Sequence, residues 1–270
     1  MEYKELGKSG EMVSSIGMGT WKLGMNPEIE IRALGKGLDL GINLIDTAEM
    51  YGTEKLVGEA IYGRKDFFLA TKVSPHHFRH DDLIAACESS LKKLNVKQID
   101  LYQLHWPNAS VPIDETMRAM EELVDRGKIK YIGVSNFSPK EFEEAQASMK
   151  RYEIISNQVE YSLMVRNAER ELIGFAERDG IAIIAYSPLG RGALFDSRHE
   201  ELRSMLEDIG KNYEKEASQV ALNWLISRKN IVAIPKASTP KHVEENAGSV
   251  GWSLSKKDKE RLSSFLLVGA

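Results

Sequence analysis

The chain has 270 residues, 42% hydrophobic and 28% charged, with a single cysteine and a formal net charge of −4. That length matches one (β/α)8 barrel of roughly 250 residues, and the composition excludes disordered, collagen-like and disulfide-stapled classes. The slightly negative balance leaves no basic footprint for nucleic acid or an acidic membrane surface, and no apolar run approaches the roughly 18 residues of a membrane helix.

The opening MEYKELGKSG is polar and has no signal-peptide core, so a soluble, cytoplasmic protein is expected. Gly7 and Gly10 mark a hairpin within residues 1–15 that caps a barrel floor. Eight short apolar runs then follow: 16–19, 43–46, 67–72, 99–105, 131–135, 157–160, 181–187 and 231–236. Several are continuously apolar, as parallel strands covered on both faces must be. Helical stripes separate them, among them Ile31, Leu34 and Leu38, then Met117, Met120 and Val124, then Ala217, Ala221, Trp224 and Arg228. Cys87 falls on such a stripe with Leu83, Ala86, Leu91 and Leu94, which makes it a reduced core residue. Ser138, Pro139 and Glu141 supply an N-cap, a first-turn proline and a capping-box glutamate, so a helix is predicted to start there.

Eight β-α units without a linker or composition shift predict an α/β fold: a single (β/α)8 TIM barrel with a short N-terminal β-hairpin, one domain over residues 1–270. An open doubly wound sheet is the alternative. It is disfavoured because no G-x-G-x-x-G follows the first strand, and the glycines at 35, 37 and 41 have the wrong spacing.

Polar residues stand at the carboxyl ends of the apolar runs, where barrel active sites are built: Asp46, Lys72, His105, Ser135 with Asn136, Gln158, Tyr186 with Ser187, and Lys236. Asp46 and Lys72 end neighbouring strands and are expected to pair, since a lone buried charge is costly. Tyr51, five residues past Asp46, would hang its hydroxyl over that pair. A nearby ammonium is expected to pull the phenol below its ordinary value of about 10, making it a usable acid. His105 completes a cluster suited to protonating a carbonyl oxygen. His76, His77 and His80 lie close together but lack the spacing and partners of a closed zinc site, so no metal is expected.

The motifs GTW (19–21), INLIDTAEMYG (42–52), LATK (69–72), DLYQLHWP (100–107), GKIKYIGVSNF (127–137), NQVEY (157–161), AYSPLGRG (185–192) and IPKAS (234–238) followed by EEN (244–246) span nearly the whole chain. Together they resemble the aldo-keto reductases, in particular diketogluconate reductase and aldehyde reductase-like members. The resemblance implies NAD(P)H-dependent reduction of aldehydes and ketones by a monomeric barrel without a metal. It implies Tyr51 as proton donor, Asp46 and Lys72 as its tuners, and His105 at the carbonyl oxygen. Cofactor contacts would come from Gly19, Thr20, Ser135, Asn136, Gln158, Tyr186, Ser187, Leu189, Gly190 and Gly192, with Lys236, Ser238, His242, Glu245 and Asn246 at the adenosine phosphate and adenine. A helix opened by the Ser238-Thr239-Pro240 sequence would turn its amide groups toward that phosphate. Trp21, Met50 and Trp106 would wall the substrate pocket. Two departures stand out. An arginine usual at the position of His242 and a serine frequent at Ala237 are absent, which keeps NADH use open beside NADPH. The tail, residues 251–270, is short, which implies an open pocket and broad specificity. Two other functions stay in view: a Schiff-base aldolase using Lys72, and a non-catalytic nicotinamide-binding regulatory subunit.

Overall fold

The computed structural model describes residues 1–265, without the Phe195 side chain; the last five residues of the tail lie outside the described residues. The chain opens with an antiparallel hairpin, β1 (Tyr3–Glu5) and β2 (Met12–Ser14), turned by Gly7 and Gly10 at positive φ. Eight parallel strands follow, in order β3 (Met18–Gly19), β4 (Leu44–Asp46), β5 (Phe68–Val73), β6 (Ile99–Leu104), β7 (Ile129–Ser135), β8 (Ile154–Glu160), β9 (Ala182–Tyr186) and β10 (Ile231–Ile234). Each strand pairs with the next. Parallel bridges from Ile16 to Ala233 and from Gly19 to Lys236 join the first to the last and close the barrel. At that seam a Cβ on Gly19 would sit 2.7 Å from the Ile234 carbonyl oxygen.

The eight apolar runs are these eight strands. Their inner faces, with Leu44, Phe68, Ala70, Leu101, Ile184 and Val232, form one core closed from below by Leu6 and Val13 of the hairpin. The Tyr131 hydroxyl bonds to the Ser9 carbonyl, and Lys4 Nζ donates to the carbonyls of Ile226 and Ile231, so the floor is tied to the barrel. A second core lies between strands and helices, including α1 (Pro27–Asp39), α2 (Glu54–Ala60), α3 (His80–Leu94) and α4 (Ile113–Asp125). Cys87 is buried there as a free thiol.

The remaining helices are α5 (Pro139–Ala147), α6 (Leu172–Asp179), α7 (Glu200–Lys211), α8 (Ala217–Ile226), α9 (Pro240–Ala247) and α10 (Lys256–Ser264). The capping box of Ser138 and Glu141 starts α5 as predicted. Arg228 does not continue the α8 stripe. The helix ends at Ile226, and the guanidinium turns instead to Glu169 and Glu177 at 3.5 and 3.8 Å. Among the described residues no helix is long and apolar enough to cross a membrane.

Candidate active site

Strand geometry assembles the polar cluster. Inward-facing residues recur every second position. The apolar layer of Leu44, Ala70, Leu101 and Ile184 is therefore followed, one step toward the carboxyl-end mouth, by Asp46, Lys72, Gln103 and Tyr186. Lys72 is fully buried, and its Nζ donates to Asp46 Oδ1 at 2.6 Å and to the Thr47 carbonyl at 2.7 Å. The other Asp46 oxygen accepts from Gln158 Nε2 at 2.8 Å and from Gln103 Nε2 at 3.4 Å. Pairing and amide donors together offset the cost of burying the two charges.

Tyr51 ends the short turn Glu49–Tyr51, which Gly52 closes in the left-handed conformation (φ 71°) that glycine adopts without steric cost. Its hydroxyl lies 3.5 Å from Lys72 Nζ, and its ring meets that of His105 edge-on at 5.5 Å. Burial raises the phenol above its ordinary value, and the Lys72 ammonium only partly opposes this. The expected lowering is thus corrected: taking a phenolate out of water outweighs the attraction of one ammonium that is itself shared with Asp46. His105, just past β6, is pushed down to about 3 by burial and then by Lys72. Its imidazole is therefore neutral near pH 7 and offers a hydrogen bond in place of a charge.

A second polar shell adjoins the first. Ser135 Oγ donates to the Gln158 carbonyl at 2.9 Å, and Asn136 Nδ2 donates to the His105 carbonyl at 3.1 Å. The Tyr186 hydroxyl donates to Asn136 Oδ1 at 3.0 Å. Asp46, Tyr51, His105, Ser135, Asn136, Gln158 and Tyr186 line a cavity of about 650 Å³ at the barrel mouth, with Lys72 and Gln103 behind its wall. Gly19, Thr20, Ser187, Leu189, Gly192 and Lys236 complete its wall, with Trp21, Met50 and Trp106 at 39%, 57% and 46% exposure on the rim. Six non-glycine residues have positive φ among the described residues, and four of them, Lys22, Asn136, Ser187 and Arg191, line this cavity. Backbone strain concentrated around one cavity is a mark of a functional site.

The chain matches the aldo/keto reductase family model over residues 15–266. It belongs to the aldo/keto reductase family. Among its relatives is the methylglyoxal reductase YeaE of Escherichia coli strain K12, 38% identical over 94% of this chain and 92% of that one. The aldo-keto reductase YhdN of Bacillus subtilis strain 168 is 33% identical over 98% and 94%. A crystal structure of a thermostable aldo-keto reductase, Tm1743, with the inhibitor epalrestat superposes with a TM-score of 0.92 at 40% identity, covering 98% of this chain and 99% of that one. An aldo/keto reductase from Klebsiella pneumoniae, solved with NADP and acetate, gives a TM-score of 0.89 at 33% identity, covering 97% and 95%.

Within this aldo/keto reductase barrel, the residues singled out on α9 stand apart from the cavity wall. Thr239 caps the helix by accepting from the His242 amide, and Pro240 fills its first turn. His242 is exposed, Glu245 pairs with Lys241 at 3.7 Å, and Asn246 is buried. Ser238 lies in the link before the helix. Gly190, at φ 60°, sits between two lining residues without lining the cavity itself.

Sequence reasoning missed Gln103 and Lys22, and it read Arg191 only as part of the 187–192 stretch along the cofactor. Gln103 was hidden inside an apolar run, although it stands two positions before His105 and so shares its side of the strand. Arg191 Nη2 donates to Glu160 at 3.1 Å, and its guanidinium lies 5.4 Å from the Trp21 ring centre; Lys22 Nζ lies 4.4 Å from the same ring. Behind the wall, the hydroxyls of Thr20, Thr53 and Thr47 form a buried chain at 3.1 and 2.9 Å, which no spacing signal announced. His80 bonds to Asp81 and Glu122, and His77 lies against Glu49. No group of three or more His, Cys, Asp or Glu among the described residues is arranged to hold a metal ion.

Proposed function

We propose that this aldo/keto reductase reduces aldehydes and ketones to alcohols with NADPH, using Tyr51 as the proton donor. The observation that carries this reading is the Tyr51 hydroxyl held 3.5 Å from the buried Lys72 Nζ, with its ring edge-on to His105, in one cavity. The donor set suits the cofactor. Asn136, Gln158 and Ser135 are the amides and hydroxyl that a carboxamide requires, Tyr186 offers an aromatic face, and Arg191 and Lys236 are cations for phosphates. The Klebsiella pneumoniae relatives were solved with NADP and with NADPH. When bound, NADPH supplies the hydride for the carbonyl carbon.

The chain's own groups handle the oxygen. Tyr51 and His105 receive it by hydrogen bonds, Tyr51 gives up its proton, and the Lys72 ammonium, held in place by Asp46, stabilises the tyrosinate left behind. Trp21, Met50 and Trp106 form an exposed apolar rim, which supports a broad range of small carbonyl substrates. The exposed His242 offers no fixed positive charge, which supports some use of NADH. On this reading the chain acts as a single-domain monomer in a reducing cytosol, where buried, unpaired Cys87 stays a thiol. The Schiff-base alternative gains no support, because Lys72 has no side-chain exposure and is held by Asp46. Nor does any observation favour a purely regulatory role.

The test is binding and oxidation of NADPH and NADH against a panel of aldehydes, ketones and aldoses. Turnover of several carbonyls, faster with NADPH, is expected. Binding without turnover of any carbonyl would overturn the proposal.

A further inference from the structure

We propose that Glu49 is a positioning residue for the reaction, clamping the turn that carries Tyr51 to the loop that follows Lys72. This rests on the reading of Tyr51 as proton donor and names what keeps that donor in place.

The flanks of the turn are anchored through Thr47, Ala48 and Thr53, but its own three residues have little else to hold them. None of its three residues is fully buried, although the Tyr51 phenol is largely out of water, and Met50 is largely exposed. Its backbone bonds are local, Tyr51 N to the Ala48 carbonyl at 3.1 Å and Gly52 N to the Glu49 carbonyl at 3.4 Å. They fix the shape of the turn but not its position against the barrel. The direct contact from Lys72 Nζ to the Tyr51 hydroxyl, at 3.5 Å, is at the outer limit of a hydrogen bond and restrains little.

The Glu49 carboxylate spans the missing distance. Oε2 accepts from the Ser74 backbone N–H at 2.8 Å, and Oε1 lies 2.8 Å from His77 Nδ1. Ser74 directly follows β5 and is two residues past Lys72, so the two chain segments that present Lys72 and Tyr51 are also joined outside the site, through the turn itself. The carboxylate side chain is only 16% exposed, which limits competition from water. A charged acceptor on a backbone donor is about twice as strong as a neutral pair. Without it, the phenol is free to drift from the point where it meets the substrate oxygen, and a displacement of about 1 Å costs up to about 100-fold in rate.

The test compares Glu49→Ala, Glu49→Gln and Tyr51→Phe with the wild type, measuring kcat on an aldehyde, NADPH affinity by fluorescence titration, and the thermal midpoint. Glu49→Ala should lose about 10- to 100-fold in kcat while NADPH affinity stays within twofold. Glu49→Gln, which keeps an acceptor for the Ser74 N–H, should recover most of that loss. The proposal is overturned if kcat of the alanine variant stays within twofold of wild type, if glutamine gives no rescue, or if NADPH affinity falls in step with kcat. A Tyr51→Phe variant with wild-type turnover would remove the proton-donor reading itself, and this proposal with it.

Discussion

Replacing Asp46 by alanine strands the Lys72 ammonium inside the barrel wall, and the structure sets the size of the effect. At 2.6 Å and an effective dielectric near 20, the pair attracts by about 6 kcal/mol, most of it already spent on desolvating both ions. Breaking a buried pair from one side costs about 3–5 kcal/mol, because the remaining charge has no partner. The stranded lysine also has an escape, which is to release its proton. Relative to an ordinary lysine near 10.4, that release costs at most about 4.6 kcal/mol at pH 7 and about 1.9 kcal/mol at pH 9. The unfolded variant holds a proton that the folded variant sheds, so the variant's stability rises with pH relative to wild type. The destabilisation should shrink by up to about 2.7 kcal/mol between pH 7 and pH 9. The unpaired donors of Gln158 and Gln103 leave a part that does not change with pH. Guanidinium unfolding followed by tryptophan fluorescence, for both proteins at both pH values, measures this directly. A loss below about 1 kcal/mol at pH 7, or an equal loss at the two pH values, would refute the reasoning.

Three further outcomes follow from the same structure. His105 is held near 3 and Tyr51 above its ordinary value, so neither changes charge around neutral pH. Carbonyl reduction at saturating cofactor should be flat from about pH 5 to 9 and fall only as Tyr51 loses its proton in stronger alkali; a limb near 6.5 would mean that His105 titrates. Burial pushes the Cys87 thiol up to about 12, so a thiol reagent at mild alkaline pH should leave the folded protein unlabelled and modify one cysteine after unfolding. Rapid labelling of the native protein would contradict that burial. Gly19→Ala forces a Cβ to 2.7 Å from the Ile234 carbonyl oxygen at the closing seam and should cost about 1–3 kcal/mol in denaturant unfolding. Unchanged stability would show that the seam yields freely.

The strands were legible because a barrel strand is covered on both faces, and runs such as Ile231–Ile234 therefore read as unbroken apolar sequence. Asp46, Lys72 and His105 were legible for the complementary reason that they break those runs where the barrel opens. Local chemistry also carried through, as in the capping box of Ser138 and Glu141. What failed depended on depth and direction. Tyr51 was expected beside an ammonium, and it is; the sequence gives no measure of how far from water the phenol lies, and burial decided the sign. Arg228 fits the spacing of α8 but is drawn off by Glu169 and Glu177, which come from another part of the chain. Gln103 lay within an apolar run whose ends alone were read for chemistry. Glu49 and Arg191 sit in turns, where no periodicity says which way a side chain reaches.

The account turns on Tyr51 giving a proton while a nicotinamide hydride reaches the carbonyl carbon. The direct measurement is reduction of an aldehyde with NADPH carrying deuterium at both C4 positions, comparing wild type with Tyr51→Phe and monitoring NADPH binding in both. The account predicts one deuterium on the product carbon with the wild type, and binding without turnover for the variant. An unlabelled product, or equal turnover in the two proteins, would contradict it.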